Sequence, residues 1–375
     1  MEKARRARRV LIVCKLDRFA NGVRGPQIEG FLRKRGHDVC RLDTYYVSRA
    51  SSNERSVANK LPRPGLRRAA LYALEAASRL FTRRWEFGRR HLSYYLLLGD
   101  CRLRRSLLAS SLSLDDFDLV ICETPHDAEL LTVSTAARTL YDCPTPWADE
   151  LFFEGRLTER QHRKLRRREK ELFESVDYLA FHWESYARYA VERYRISGRN
   201  LITLNWGCTP AAERATFQNP PRIVYLGSLG GRCLDLPLFS RLAKIYPHID
   251  VYGGPPPDPA LGLNYLGWAP PTVLRQYQIG LITSRDDELR LYGFSAKHPQ
   301  YLAYGLPVLV PASRRYLGLL RGSIPYDEET FLAAVTTLSD REQWQRMSDE
   351  AYAQAQRLRW NETLRPLEAL LDELA

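Results

Sequence analysis

The chain has 375 residues, 45% hydrophobic and 27% charged, which excludes wholesale disorder; at about 150 residues per domain its length predicts two domains. Lys+Arg number 56 and Asp+Glu 44, a formal net charge of +12, and the surplus is uneven: residues 1–120 hold net +14, whereas the remaining 255 hold net −2. An excess confined to the first third points to an anionic surface, membrane or nucleic acid, on the N-terminal part.

The opening MEKARRARR looks like the charged start of a signal peptide, but the apolar run behind it, Val10 to Cys14, is too short for a signal core of ~7–15 residues. It reads as a first buried strand, 9–14. A Gly-containing loop follows (Asn21-Gly22-Val23-Arg24-Gly25-Pro26), then a helical pattern ending at Arg35-Gly36, then a second strand, 37–42. Strand, loop, helix and strand make a parallel βαβ unit. Further strands are expected at 118–122, 139–141, 178–182 and 201–204.

Residues 49–115 break this rhythm. Positions 49–108 alone account for +10. Within 66–98 a helical pattern mixes Arg pairs with Trp85, Phe87, Tyr94 and Tyr95, which suits a basic helix lying on an anionic membrane. A helix packed on the sheet with a solvated Arg face fits equally well. No nucleic-acid motif is present, and nucleic acid is not the expected partner. No stretch reaches the ~18 apolar residues of a membrane span. The Arg run 163–168, with Glu169 and Glu171, reads as a solvated helix face.

Residues 205–221 are Pro- and Ala-rich and read as a linker. The βαβ grammar then restarts: a strand at 222–227, a Gly loop (Gly227 to Gly231), a helix at 235–246 and a strand at 249–252. Strands at 264–266, 279–283 and 307–310 follow, and 340–374 is helical. The fold expected is α/β, two Rossmann-like domains facing a cleft. The first spans 1–205 with 49–115 as a basic helical insert, the second 222–340, and C-terminal helices 341–375 pack back toward the first. The seven cysteines are dispersed, without CxxC, and suit a reduced, cytoplasmic protein.

Ligands of such sheets bind where strands end and helices begin. The glycines there suit close backbone approach to phosphate, which makes Gly22, Arg24, Gly25, Gly230, Gly231 and Arg232 candidates; tight βα turns are the plainer alternative. In 292–310 (YGFSAKHPQYLAYGLPVLV) Ser295-Ala296 starts a helix, Gly305 ends it, and Pro307 to Val310 is a buried strand. Lys297, one of eight lysines, sits near that helix start, where the dipole disfavours a cation unless an anion joins it. That argues for a diphosphate nearby, with Gln300 one turn on; a solvated surface lysine is the plainer alternative.

This stretch resembles the nucleotide-sugar motif of GT-B glycosyltransferases, family 4-like. Its Ser295-x-Lys297-x-x-Gln300-Tyr301 form is similar to the xanthan glucuronosyltransferase type. Gly22 to Leu42, Arg222 to Gly231, Tyr252 to Pro255 and Leu266-Gly267-Trp268 resemble other family segments, in the same order. The resemblance implies sugar transfer from a nucleotide diphosphate, a UDP-sugar, to an acceptor hydroxyl. The acceptor would be a glycan or small molecule, including a lipid-linked glycan of surface polysaccharide synthesis on the inner face of the plasma membrane. No cofactor or metal is implied; Asp286-Asp287-Glu288 reads as a solvated loop. A soluble natural-product transferase, a nucleotide-sugar epimerase and a non-catalytic nucleotide-sugar-binding subunit remain open.

Retaining family 4 enzymes carry Glu-x7-Glu in this stretch; here the two positions are Tyr292 and Gln300, so retention does not carry over. An inverting mechanism needs a base on the N-terminal domain. The resemblance of the segments after strands 118–122 and 139–141 to the family's strand ends implies the candidates Asp149, then Glu123, Asp142 and His126. Each has a plainer reading: Asp149 as a helix cap, Glu123 as a loop carboxylate, Asp142 as a turn cap before Pro144. His182 and Trp183 read as structural.

Overall fold

A computed structural model describes residues 7–14, 23–43, 89–229 and 234–374. Gly22, Gly230, Gly231, Arg232 and residues 49–88, with Trp85 and Phe87, lie outside the described residues. The chain divides into two compact units, 1–205 with 364–375, and 206–363.

The N-terminal unit is built on a six-stranded sheet: β1 (Arg9–Cys14), β2 (Asp38–Asp43), β3 (Leu119–Cys122), β4 (Arg138–Cys143), β5 (Tyr178–Phe181) and β6 (Leu201–Thr203). The order is β2-β1-β3-β4-β5-β6, with every pairing parallel. A parallel sheet is covered on both faces, so its strands are continuous apolar runs rather than alternating ones. Val10, Leu11, Ile12 and Val13 are all fully buried, each worth roughly 1.5–3 kcal/mol. Helices α1 (Arg24–Arg33), α2 (Arg89–Ser111), α3 (Trp147–Phe153), α4 (Glu159–Ser175) and α5 (Glu184–Tyr189) connect the strands.

Helix α2 is the described part of the basic segment. Tyr94 does not face outward: it packs in a cluster with Ala148, Leu151, Leu157 and Leu165, so it is a core residue of this unit. Tyr95, its neighbour, is exposed. In α4 the Arg run is solvent-side, but Glu169 is not. Its carboxylate accepts from the backbone N–H groups of Trp147 and Ala148 at 2.7 and 3.0 Å and from the Tyr194 hydroxyl at 2.6 Å. That caps the start of α3 from a neighbouring helix, and burial holds the carboxyl up at about 7.

The C-terminal unit repeats the plan with β7 (Ile223–Leu226), β8 (Ile249–Tyr252), β9 (Asn264–Tyr265), β10 (Ile279–Leu281), β11 (Val308–Pro311) and β12 (Ser323–Tyr326), ordered β12-β11-β10-β7-β8-β9. Helix α6 (Leu236–Ile245) starts at Asp235, whose carboxylate accepts from the Leu238 N–H at 2.9 Å. Helix α7 (Lys297–Ala303) is closed by Gly305 at φ +72°. Helix α8 (Arg341–Arg357) buries Trp344 and Met347. Helix α9 (Arg365–Glu373) packs in the N-terminal unit, where Glu368 pairs with Arg35 at 3.0 Å. Strand β12 was not expected from the sequence. It is a half-exposed edge strand carrying Pro325, and an edge is where a sheet tolerates proline.

No helix among the described residues is long and apolar enough to cross a membrane.

Candidate functional site

Because all strands run the same way, the carboxyl ends of each sheet lie on one edge. In both sheets the order reverses beside the unit's first strand: between β1 and β3, and between β7 and β10. Connections leave in opposite directions at such switch points, opening a crevice that α/β sheets use for ligands.

In the C-terminal unit the β7 switch-point loop meets the start of α7. Gly227, at φ +155°, follows β7, and the Lys297 stem lies across it: a Cβ at position 227 would overlap Lys297 Cε. Only glycine lets the lysine cross so closely. The Lys297 ammonium stands 5.1 Å from the Tyr225 ring centroid, a cation–π contact that offsets the unfavourable dipole end. Tyr301, one turn on, is buried against Gly280 of β10, and its hydroxyl accepts from the Leu226 N–H at 2.8 Å. This ties α7 to both strands of the switch point. The β8 loop closes against the same place, since a Cβ at Gly253 would sit 3.2–3.3 Å from the Gly227 backbone. Ser295 and Gln300 are half-buried nearby in sequence.

Two groups here were missed in the sequence. Thr283 and Ser284 follow β10, are buried, and their hydroxyls have no hydrogen-bond partner among the described residues. They directly follow a run of buried apolar residues, and that abrupt polarity was the available signal.

The N-terminal switch point has a different character. Arg24, at the start of α1, is fully buried and turned inward. Its Nε and NH2 donate to Asp142 at 2.5 and 2.9 Å, NH2 also donates to the Leu204 carbonyl at 2.5 Å, and NH1 to the Asn205 carbonyl at 3.2 Å. That guanidinium is spent on the fold rather than presented to a phosphate, and Asp142, also fully buried, is spent with it. Gly25 is a packing glycine: a Cβ there would lie 2.8 Å from Cys14 Sγ and 3.2 Å from Glu123 Oε2. His182, at the end of β5, is buried beside Asp142, 3.8 Å away; burial and the Arg24 charge push it well below the ordinary imidazole range.

Glu123 leaves the end of β3, 5% exposed. Burial first, then the Asp142 charge, pushes its carboxyl up to about 8, with Arg24, Arg41 and the Gly25 N–H offsetting part of the rise. Its Oε1 has no partner among the described residues. Asp149, in the first turn of α3, is 1% exposed and both oxygens are engaged: Oδ1 with His162 Nε2, Oδ2 accepting from the Tyr189 hydroxyl at 2.7 Å. It joins α3 to α4 and α5. The first-ranked candidate base is thus enclosed by its own unit.

His126 is the exposed member, with 39% of its side chain accessible. Nδ1 lies 3.0 Å from Oδ2 of Asp100 on α2, and the ring sits 5.0 Å from that of Trp147. Asp100 also receives Arg104 Nε at 3.1 and 3.0 Å. Burial pushes the Asp100 carboxyl up, but the His126 hydrogen bond and the Arg104 charge outweigh it and leave the group below its ordinary value. Asp100 was missed in the sequence. It is the one acid between Glu86 and Asp115 of a basic stretch, and that was the signal. Among the described residues no group of three His, Cys, Asp or Glu side chains is arranged to hold a metal. The expected solvated loop at 286–288 is partly structural: Asp287 caps the short helix after it and pairs with Arg290 at 3.2 Å.

No protein-family model and no curated protein sequence matches the chain. Solved structures do. The chain is similar to sucrose-phosphate synthase from Thermosynechococcus elongatus (TM-score 0.68, 11% identity, covering 98% of this chain and 99% of that one). It is similar also to a glycosyltransferase from Rickettsia africae ESF-5 (0.59, 12%, 98% and 98%) and to CalG4, the calicheamicin glycosyltransferase (0.52, 13%, 99% and 100%). At these identities the likeness is one of fold. Two Rossmann-like units, each on a six-stranded parallel sheet, are the GT-B architecture.

Proposed function

We propose that the chain is a glycosyltransferase that takes a sugar from a nucleotide diphosphate donor, a UDP-sugar, and transfers it to an acceptor hydroxyl. The observation that carries this reading is Lys297 lying across Gly227 at the β7/β10 switch point. A lysine ammonium beside a glycine of the switch-point loop suits a diphosphate, and the fold is that of sugar-transferring neighbours. Lys297 would neutralise the leaving diphosphate, whose charge grows as the glycosidic bond breaks. Gln300, Ser295, Thr283 and Ser284 would supply hydrogen bonds to sugar or phosphate, and Gly230 and Arg232 extend the same loop in sequence. The acceptor base would come from the carboxyl edge of the N-terminal sheet.

The reading extends to the acceptor. The charge surplus of the first third, centred on 49–108, suits a lipid-linked glycan of surface polysaccharide synthesis at an anionic cytoplasmic membrane face. Flotation with phosphatidylglycerol vesicles tests this: no association at low salt overturns it. The donor assignment is tested by a thermal-shift screen over UDP-, GDP- and dTDP-sugars, because a ligand held by the folded state raises the melting temperature. A shift with UDP-sugars that disappears in Lys297→Ala is expected. No shift with any nucleotide sugar overturns the assignment.

A further inference from the structure

Gly293 to Ala296, the stretch that delivers Lys297 to the β7/β10 switch point, belongs to neither helix nor strand. With no backbone ladder to fix it, its place is set by side chains, and the reach of a flexible lysine depends on how firmly its own backbone is held. Three side chains from elsewhere in the same unit grip the stretch and the residue before it. Tyr316, on the connection between β11 and β12, stacks on Tyr292, with ring centroids 5.3 Å apart at 29°. Arg314, on the same connection and buried, packs on Gly293: a Cβ there would lie 2.8 Å from its NH2, which also donates to the Phe294 carbonyl at 3.3 Å. Trp206, also buried, meets the Phe294 ring with centroids 6.1 Å apart.

Trp206 is itself anchored. Its ring lies 5.7 Å from that of Trp360. The next residue, Gly207, is pressed so closely on Trp360 that a Cβ would come within 2.7 Å of the ring. The Cys208 N–H then donates to the Leu358 carbonyl at 2.7 Å. The sequence predicts a linker over 205–221, yet its tryptophan is a buried wedge of the unit that carries Lys297. Aromatic pairs of this kind hold geometry beyond what buried area alone supplies.

We propose that Trp206 is a positioning residue of the donor site: through Phe294 it holds the 293–296 stretch so that the Lys297 ammonium meets the diphosphate, with Arg314 as the second grip. This rests on the donor reading above. Trp206 acts only through Phe294. It removes slack from the lysine's backbone, so less freedom is lost when the diphosphate binds. It follows that Trp206 and Phe294 matter to UDP only while Lys297 is present.

Calorimetry of the full chain with UDP, run alongside urea melts, tests this. Expected is about 2- to 10-fold weaker binding for Trp206→Ala and for Phe294→Ala, the range for leaving one long side chain to be ordered by the ligand. Trp206→Phe keeps an aromatic ring and should bind UDP close to the parent. In a Lys297→Ala background, Phe294→Ala should weaken UDP no further, because the grip has nothing left to position. A merely structural role would instead lower the urea midpoint in every background and leave the affinity of the folded protein alone. Phe294→Ala leaves Trp206 and its seat on Trp360 in place, so it decides the matter where Trp206→Ala does not fold. Unchanged UDP affinity in folded Phe294→Ala, or the same loss with and without Lys297, overturns the proposal and leaves the donor site standing. A parent protein that binds no UDP, or a Lys297→Ala variant that binds it normally, overturns the donor reading instead.

Discussion

The Lys297 side chain lies across Gly227 so closely that a methyl group at position 227 would overlap Lys297 Cε, with 3.0 Å left to Nζ. The lysine's position and the glycine's identity are thus one feature. Two substitutions should act alike for different reasons. Lys297→Ala removes a charge-assisted contact of about 1.5–3 kcal/mol, which is a 10- to 100-fold loss of UDP affinity. Gly227→Ala keeps the lysine but displaces it, and adds strain at a positive φ; it should weaken UDP comparably and cost about 1–3 kcal/mol of stability. Calorimetry with UDP and a urea melt separate the two. Unchanged UDP affinity in both variants refutes the donor assignment.

Arg24 and Asp142 make the contrasting case, an ion pair with neither partner exposed. Removing one partner leaves a buried charge uncompensated, which typically costs 3–5 kcal/mol. Arg24→Met and Asp142→Leu should each lower the urea midpoint strongly, and the double variant should be less destabilised than the sum of the two. UDP affinity of the folded fraction should be unchanged. A stable Arg24→Met variant with weakened UDP binding would restore Arg24 to the phosphate site.

Much of the fold was legible because buried parallel strands are continuous apolar runs: 10–14 and 119–122 carry their signal without help from distant residues. The start of α7, its end at Gly305 and the strand behind it were legible for the same reason. What escaped was decided by tertiary context. Ser323 to Tyr326 forms a strand only because β11 offers an edge. Glu169 looked solvated on its own helix and is buried because α3 needs a cap. The fate of the candidate bases was not legible at all, since Asp149 depends on Tyr189 and His162, and His126 depends on Asp100, partners 13 to 40 positions away.

Asp149 illustrates what this context implies. With the Tyr189 hydroxyl donating to it at 2.7 Å inside the unit, it should contribute to stability more than to turnover. Tyr189→Phe should cost about 0.5–1.5 kcal/mol and Asp149→Ala more, since the latter also strands His162. Both should keep kcat within a few-fold at temperatures well below their melting points. A large kcat loss in a stable Asp149→Asn protein would return it to the catalytic group.

Glu123 gives a pH signature with a definite sign. Its carboxyl titrates near 4.5 when unfolded and at about 8 when folded. Between those values the folded state holds more protons than the unfolded state, so stability falls as pH rises, by up to about 1.4 kcal/mol per pH unit. The contribution is complete below pH 4.5 and lost once pH passes 8. Glu169, at about 7, adds a similar slope over a narrower window, so the difference between the parent and Glu123→Gln isolates Glu123. The variant should match the parent near pH 5 and melt several degrees higher at pH 8, at roughly 2–4 °C per kcal/mol for units of this size. Parallel melting curves across pH 5–8 would mean that Glu123 ionises freely in the folded protein, and would return it to contention as the acceptor base.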